Sequence, residues 1–332
     1  MSKLALTMAC AAYDRVKPIA DGRVHIENVD LTFFDIDPEE GFKRAFQGHE
    51  FDITELSAST HILTTSRGDA HYIAVPIFVS RVFRHGAIYI RTDRGIKAPQ
   101  DLRGKLVGVP EYQMTAALWA RGVLSDEYGV KTGDMKWRSG GLHHPGRVER
   151  TPINLPPEIE LQPIASGRTL SDMLASGELD ALVTARVPNC FIEGGASVVR
   201  LFPNVREVEE AYYRKTRMFP IMHLIAIRRR LVEQHPWLAS SVVKAFLQAK
   251  KIAMHELLDY GAYYVMLPWH EDDVGRAQAM MGPDVWPYGL KANREQLETM
   301  ARWSLEQGLA KRLVKVEELF APGTHEDLQL RD

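Results

Sequence analysis

The stretch Asp101–Val130, DLRGKLVGVPEYQMTAALWARGVLSDEYGV, decides the fold. It reads as a turn at Asp101–Gly104, a strand over Lys105–Val109 and a helix over Thr115–Tyr128. The chain before it already alternates strands and helices. The stretch therefore restarts the pattern, and a second α/β unit follows the first.

Working outward, the first unit has strand signals at Leu4–Cys10, Val29–Phe34, Phe51–Leu56, Tyr72–Val79 and Ala87–Arg91. Asp37 caps a helix with Pro38 in its first turn, Glu40 three residues after the cap and Gly48 at its end. Ser57 caps another that ends near Gly68. In the second unit, Met135–Trp137 and Ala181–Ala185 read as strands and Leu170–Ser176 as a helix closed by Gly177. Thr151–Pro163 carries four prolines and reads as an extended loop. A further apolar strand, Pro220–Ile227, precedes a helical C-terminal region. There Pro236 opens a long amphipathic helix to about Leu258, and Asn293, with Gln296, caps a helix stopped by Gly308.

The expected architecture is α/β with two lobes. Residues 1–95 and 218–332 form the first, and residues 96–217 form the second. Two crossovers, near Arg91–Pro99 and Val205–Arg217, join them, and the C-terminal helices return to cover the first lobe. A ligand belongs between the lobes, outside the carboxyl ends of the strands.

A chain of 332 residues suits two domains of ordinary size. Its net charge of −2 gives no general attraction to nucleic acid or an anionic membrane, and no helix-turn-helix or basic patch is present. No apolar run reaches the roughly 20 residues that span a bilayer. Leu4–Ala12 fits a buried strand better than an export signal, so a cytoplasmic location is expected. Cys10 and Cys190 lack any ligand spacing and read as reduced, structural residues. The sequence does not set the oligomeric state, and a homo-oligomer is compatible with it.

Five arginines, Arg15, Arg81, Arg84, Arg186 and Arg217, fall at strand ends or crossovers of this nearly neutral chain. Arginine grips carboxylates through paired hydrogen bonds, so two or three of these converging would fit a small, multiply anionic ligand. Surface ion pairing is the competing account of each arginine singly. Ser57 lies at a strand end, and Tyr112, Gln113 and Thr115 enter a helix whose free N–H groups favour an anion. Ser139–Arg150, SGGLHHPGRVER, adds Gly141, where the backbone can approach a ligand, and Arg147. Its adjacent histidines, His143 and His144, point to opposite sides of an extended chain and lack partner ligands, so no metal site is expected. GxSxG, GxGxxG and Walker motifs are absent. His223, His85 and Glu55 fit either proton transfer at the cleft or buried structural roles. Tyr13, Trp286 and Tyr288 fit either stacking on a flat ligand or ordinary core packing.

Several stretches resemble 4,5-dihydroxyphthalate decarboxylases, within a periplasmic-binding-protein-like type II fold. The more specific are SRVFRHGAIYIR, EYQMTAALWARG and MFPIMH, and GGLHHPGR and WPYGLKANREQLETMARWSLEQGL add to them. With YDRVKPIADGRV the resemblance spans residues 13–308. It implies a carboxy-lyase that removes one ring carboxylate from 4,5-dihydroxyphthalate without a redox or metal cofactor, giving protocatechuate. His223 and His85 are then expected as the acid–base pair, with Glu55 orienting them or relaying a proton. The five arginines are expected as carboxylate clamps. A non-catalytic solute-binding protein for a small aromatic or heterocyclic acid is the alternative.

Overall fold

The protein is described by a computed structural model covering residues 3–193 and 197–326. The chain starts with β1 (Leu4–Cys10), β2 (Val29–Asp35), β3 (Ile53–Ser57) and β4 (Tyr72–Arg81). It then builds β5 (Ile88–Arg91), β6 (Leu106–Val109), β7 (Lys136–Ser139), β8 (Leu161–Pro163), β9 (Ala181–Val183) and β10 (Val198–Arg200), and returns in β11 (Ile221–Arg228). Two sheets result, ordered β2-β1-β3-β11-β4 and β10-β5-β9-β6-β7-β8. In the first, β1 pairs parallel with β2 and β3, while β11 inserts antiparallel between β3 and β4. In the second, β6, β7, β8 and β9 run parallel, and β5 pairs antiparallel with β9 and β10. Each lobe thus holds one mixed α/β sheet, as the alternating pattern implies. No helix among the described residues is long and apolar enough to cross a membrane.

The lobe boundary differs from the sequence reading. Ile88, Tyr89 and Ile90 are buried and hydrogen-bonded into the second sheet, so the first crossing lies at Val82–Ala87 rather than near Arg91–Pro99. A strand with both flanks paired belongs to the sheet that pairs it, whatever its position in the chain. The return runs through a helix, Val205–Thr216, that ends at Arg217 with φ of 56°. The two crossings lie side by side, with the Val82 N–H donating to the Pro220 carbonyl at 3.1 Å. The proline-rich loop also ends in a strand, β8, that closes the edge of the second sheet.

The C-terminal helices also do more than cover the first lobe. Trp237–Leu257 lays Leu238, Val242, Phe246 and Ala249 against the first sheet, as its apolar stripe predicts. Arg294–Glu306 instead packs on the helix Ala58–Arg67 of the first lobe and on Thr115–Tyr128 of the second. At the latter contact the Trp303 ring lies flat against Gly122, where a Cβ would come within 2.2 Å of it. One continuous core therefore contains Leu56 and Phe78 from one lobe and Trp119 and Leu124 from the other, with Trp303 between. Two expected caps are used otherwise. Asn293 Oδ1 receives the Arg81 guanidinium, and the Ser57 hydroxyl bonds Thr115, with no cap bond from either side chain.

Candidate active site

The first lobe contributes a buried carboxylate. Glu55 is 2% exposed on β3, and a charged group there requires partners. Its Oε1 accepts from the Tyr13 hydroxyl at 2.8 Å and pairs with His223 Nδ1 at 2.6 Å. Its Oε2 accepts from the Ala11 N–H at 3.2 Å and the Cys10 thiol at 3.4 Å. Burial alone pushes the Glu55 carboxyl up, but the His223 hydrogen bond and charge, with the Ala11 and Tyr13 donors, hold it below its ordinary value. An ionised Glu55 only accepts, so the His223 hydrogen sits on Nδ1 and Nε2 is left for the cleft. Burial first, then Glu55, pushes Tyr13 and Cys10 up, so both remain protonated donors. The pairing of β11 shifts register on both sides of His223, and a bulge of this kind re-aims a side chain.

His223 opens into a cavity of about 150 Å³ between the lobes. Phe42, Met114, Ala116, Ala185 and Met222 supply apolar walls, and Phe42 meets the His223 ring edge-on at 4.8 Å. Ser57 and Thr115 join the lobes at its floor through a 2.9 Å hydroxyl pair, and the Thr115 hydroxyl also accepts from the Ser59 N–H. The N-terminal turns of two helices, Ala58–Arg67 and Thr115–Tyr128, thus meet there and favour negative charge. A second chamber of about 580 Å³ shares Glu39, Met114 and Arg186 with the first and adds Gly141, His143 and Arg147.

The cleft arginines differ in their commitments. Arg147 and Arg150 both grip Glu111, which is 3% exposed, and Arg147 reaches on to Glu39 across the cleft at 3.0 Å. Arg186 bridges to Asp37 at 2.9 Å. Arg84 has no ion pair among the described residues, and its side chain's one hydrogen bond there is Nε to Met222 Sδ at 3.1 Å. Burial pushes Arg84 down to about 10 against the opposing pull of Glu209. The cleft therefore holds one guanidinium without an ion pair among the described residues, beside one histidine whose Nδ1 is committed to Glu55.

Other expected site residues lie elsewhere. Arg15 is sandwiched between Tyr13 and Trp286 and donates to the Val79 carbonyl, beside a separate, mainly apolar cavity of about 300 Å³. Arg81 is buried against the Phe219 and Pro287 carbonyls and Asn293, where it fastens the C-terminal segment to the crossing. Arg217 is exposed beside Tyr213. His85 is closed off among Phe202 and Tyr212, with burial pushing it down to about 4. It does not line the cleft and cannot pair with His223 there. Tyr112 points away to the Gln307 carbonyl, and Tyr288 is buried in the first lobe's core. Apart from the exposed Arg217, an apolar or carbonyl-rich surrounding claims each of these side chains. Gln113 lines the cavity and is fixed by Thr60 and the Thr151 carbonyl. Gly141 serves a tight turn, since a Cβ there would lie 1.6 Å from the His144 carbonyl oxygen. The sequence reading missed Arg150, Glu111 and Phe42. The acidic turn residue Glu111 facing two arginines three apart was the available signal.

Glu149 braces this floor by accepting from the Tyr112 and Gln113 N–H groups. Burial, reinforced by Glu111, pushes it up to about 7 from 4.5. The folded state then binds more protons than the unfolded chain between these values, so stability falls as pH rises through that window. Glu149→Gln removes this penalty. It is expected to melt higher than the native protein at pH 8, by about 2–4 °C per kcal/mol relieved, and to differ little from it at about pH 4, below the unfolded value. A melting difference that does not change between the two pH values refutes the assignment.

Among the described residues no group of three or more His, Cys, Asp or Glu side chains could hold a metal ion. No protein-family model matches the chain. It is similar in fold to the sulphonate-binding protein SsuA of Methylobacillus flagellatus, with TM-score 0.55, 13% identity and 97% and 93% of the two chains covered. The aliphatic sulphonate-binding protein SsuA of Escherichia coli gives 0.54 at 14% identity, covering 98% and 99%. The fold is therefore periplasmic-binding-protein-like. A 4,5-dihydroxyphthalate decarboxylase of Pseudomonas putida is 45% identical over 214 residues, 64% of this chain and 83% of that protein. One of Comamonas testosteroni is 43% identical over 330 residues, 99% of this chain and all of the relative. With that identity over the full length, the chain belongs to the 4,5-dihydroxyphthalate decarboxylase family.

Proposed function

We propose that the protein is a carboxy-lyase that converts 4,5-dihydroxyphthalate to protocatechuate and CO2 without a redox change. The observation that carries this reading is the His223–Glu55 pair beside the uncommitted Arg84 in an apolar-walled cleft. Each ring carboxylate of this substrate is para to a hydroxyl. Loss of that hydroxyl's proton to water, which later returns it, drives electron density onto the carboxylate-bearing carbon. His223 takes up a proton from solvent on Nε2 and delivers it to this carbon, and Glu55 faces the positive charge that the imidazole carries in between. The carbon–carboxylate bond then breaks, CO2 departs, and its electron pair restores the aromatic ring. The hydroxyl regains its proton, so the reaction consumes one proton overall. Arg84 holds a carboxylate of the ring, while Phe42, Met114 and Met222 exclude water from its faces.

The test is to incubate the purified protein with 4,5-dihydroxyphthalate and follow CO2 and protocatechuate. Stoichiometric release of both is expected, unaffected by prior dialysis against a chelator. Tight binding with no release would point instead to a solute-binding role.

A further inference from the structure

The arginines of the cleft separate into three kinds by how tightly their anions are held. Glu111 is buried and receives Arg147 through two nitrogens, and Arg150 through a side-chain nitrogen and its backbone N–H. Turning either arginine away strips the buried Glu111 of charge-assisted hydrogen bonds, so Arg147 and Arg150 are not free to turn to a ligand. Arg84 has no anion to give up among the described residues. Arg186 lies between these extremes. It lines both chambers, and its one charge-assisted hydrogen bond, Nη2 to Asp37 Oδ2 at 2.9 Å, joins side chains 57% and 50% exposed. An exposed pair of this kind shifts an equilibrium by no more than about fivefold, so its exchange costs little.

We infer that Asp37 is an internal stand-in for a ligand carboxylate, occupying Arg186 until a dicarboxylate displaces it. Asp37 belongs to the first lobe and Arg186 to the second, so the pair spans the junction where the two chambers meet. A ligand with one carboxylate on Arg84 presents a second one toward Arg186. Glu39 Oε1, 3.8 Å from Arg186 Nε and shared with Arg147, stays as the longer-range counter-ion. The exchange makes Asp37 a specificity determinant: dicarboxylates gain a contact by displacing it, whereas monocarboxylates already satisfied by Arg84 leave it in place. This inference rests on the proposed reading of the cleft as a site for an aromatic dicarboxylate.

Asp37 also caps the helix Pro38–Lys43, with Oδ1 accepting from the Glu39 N–H at 2.9 Å. Asparagine is an equally good cap, so Asp37→Asn removes the charge while keeping the helix start. Binding of phthalate and of benzoate is measured by calorimetry for the native protein, Asp37→Asn, Arg186→Gln and the double variant. Asp37→Asn is expected to bind phthalate about 3- to 5-fold more tightly and benzoate unchanged. Arg186→Gln is expected to lose about tenfold or more for phthalate and little for benzoate. The double variant should match Arg186→Gln, because Asp37 acts only through that arginine. Unchanged or weaker phthalate binding by Asp37→Asn overturns the inference, as does equal weakening of both ligands by Arg186→Gln. Either result beside normal native turnover of 4,5-dihydroxyphthalate leaves the functional reading standing. A native protein that binds neither dicarboxylate overturns both.

Discussion

Replacing His223 with Gln is expected to lower turnover of 4,5-dihydroxyphthalate by about 10²- to 10⁴-fold, the usual contribution of a positioned proton donor. Glutamine has similar reach, and its amide can still donate to Glu55, so the carboxylate keeps a partner. Glu55 also retains the Tyr13 hydroxyl and the Ala11 N–H, and the fold should be undisturbed. What the variant lacks is an ionisable nitrogen at the cleft. Affinity for phthalate, which needs Arg84 but no proton transfer, should therefore change little. The check is a pair of measurements, kcat for the substrate and Kd for phthalate. Turnover within tenfold of native would remove His223 from the chemistry, and loss of phthalate binding would make its role one of folding.

The second large effect concerns stability. Trp303→Ala is expected to cost about 3–5 kcal/mol, as for other buried aromatic deletions. The ring is 2% exposed, meets Trp119 edge-on at 4.9 Å and covers the bare backbone of Gly122. Its Nε1–H donates to Asp126 at 3.0 Å. Because Gly122 has no side chain to swing into the space, the cavity cannot collapse from that side. Trp303 also lies in the core that both lobes share, so its loss should weaken their coupling. Denaturant unfolding followed by circular dichroism measures this, with a lower midpoint expected. A loss below about 1 kcal/mol would mean that the interlobe contact relaxes around the gap.

Elements with a local signal were readable before any coordinates. The helix at Thr115–Tyr128, the strand pattern of the first unit and the Asp37 cap depend on neighbours a few residues away. The first crossing was misplaced because an apolar run such as Ile88–Ile90 fits either sheet, and only its partners β9 and β10 choose. Arginines posed a harder problem. Arg15, Arg81, Arg84 and Arg186 have the same side chain at similar strand-end or crossover positions. Their roles differ because Arg15 meets Trp286, Arg81 meets Asn293 and Pro287, Arg186 meets Asp37, and Arg84 meets no carboxylate among the described residues.

By itself the sequence determined the class of the fold, the strand–turn–helix order of Asp101–Tyr128, and Glu55 and His223 as candidates for proton transfer. Those features rest on local periodicity, turn chemistry and residue type. Tertiary structure alone decided that Glu55 and His223, 168 positions apart, meet at 2.6 Å while His85 is walled off. It also decided which arginine has no ion pair among the described residues and which is held by an exposed one. Pairing and burial are set by what the folded chain brings alongside a residue, and in this cleft those neighbours come from both lobes.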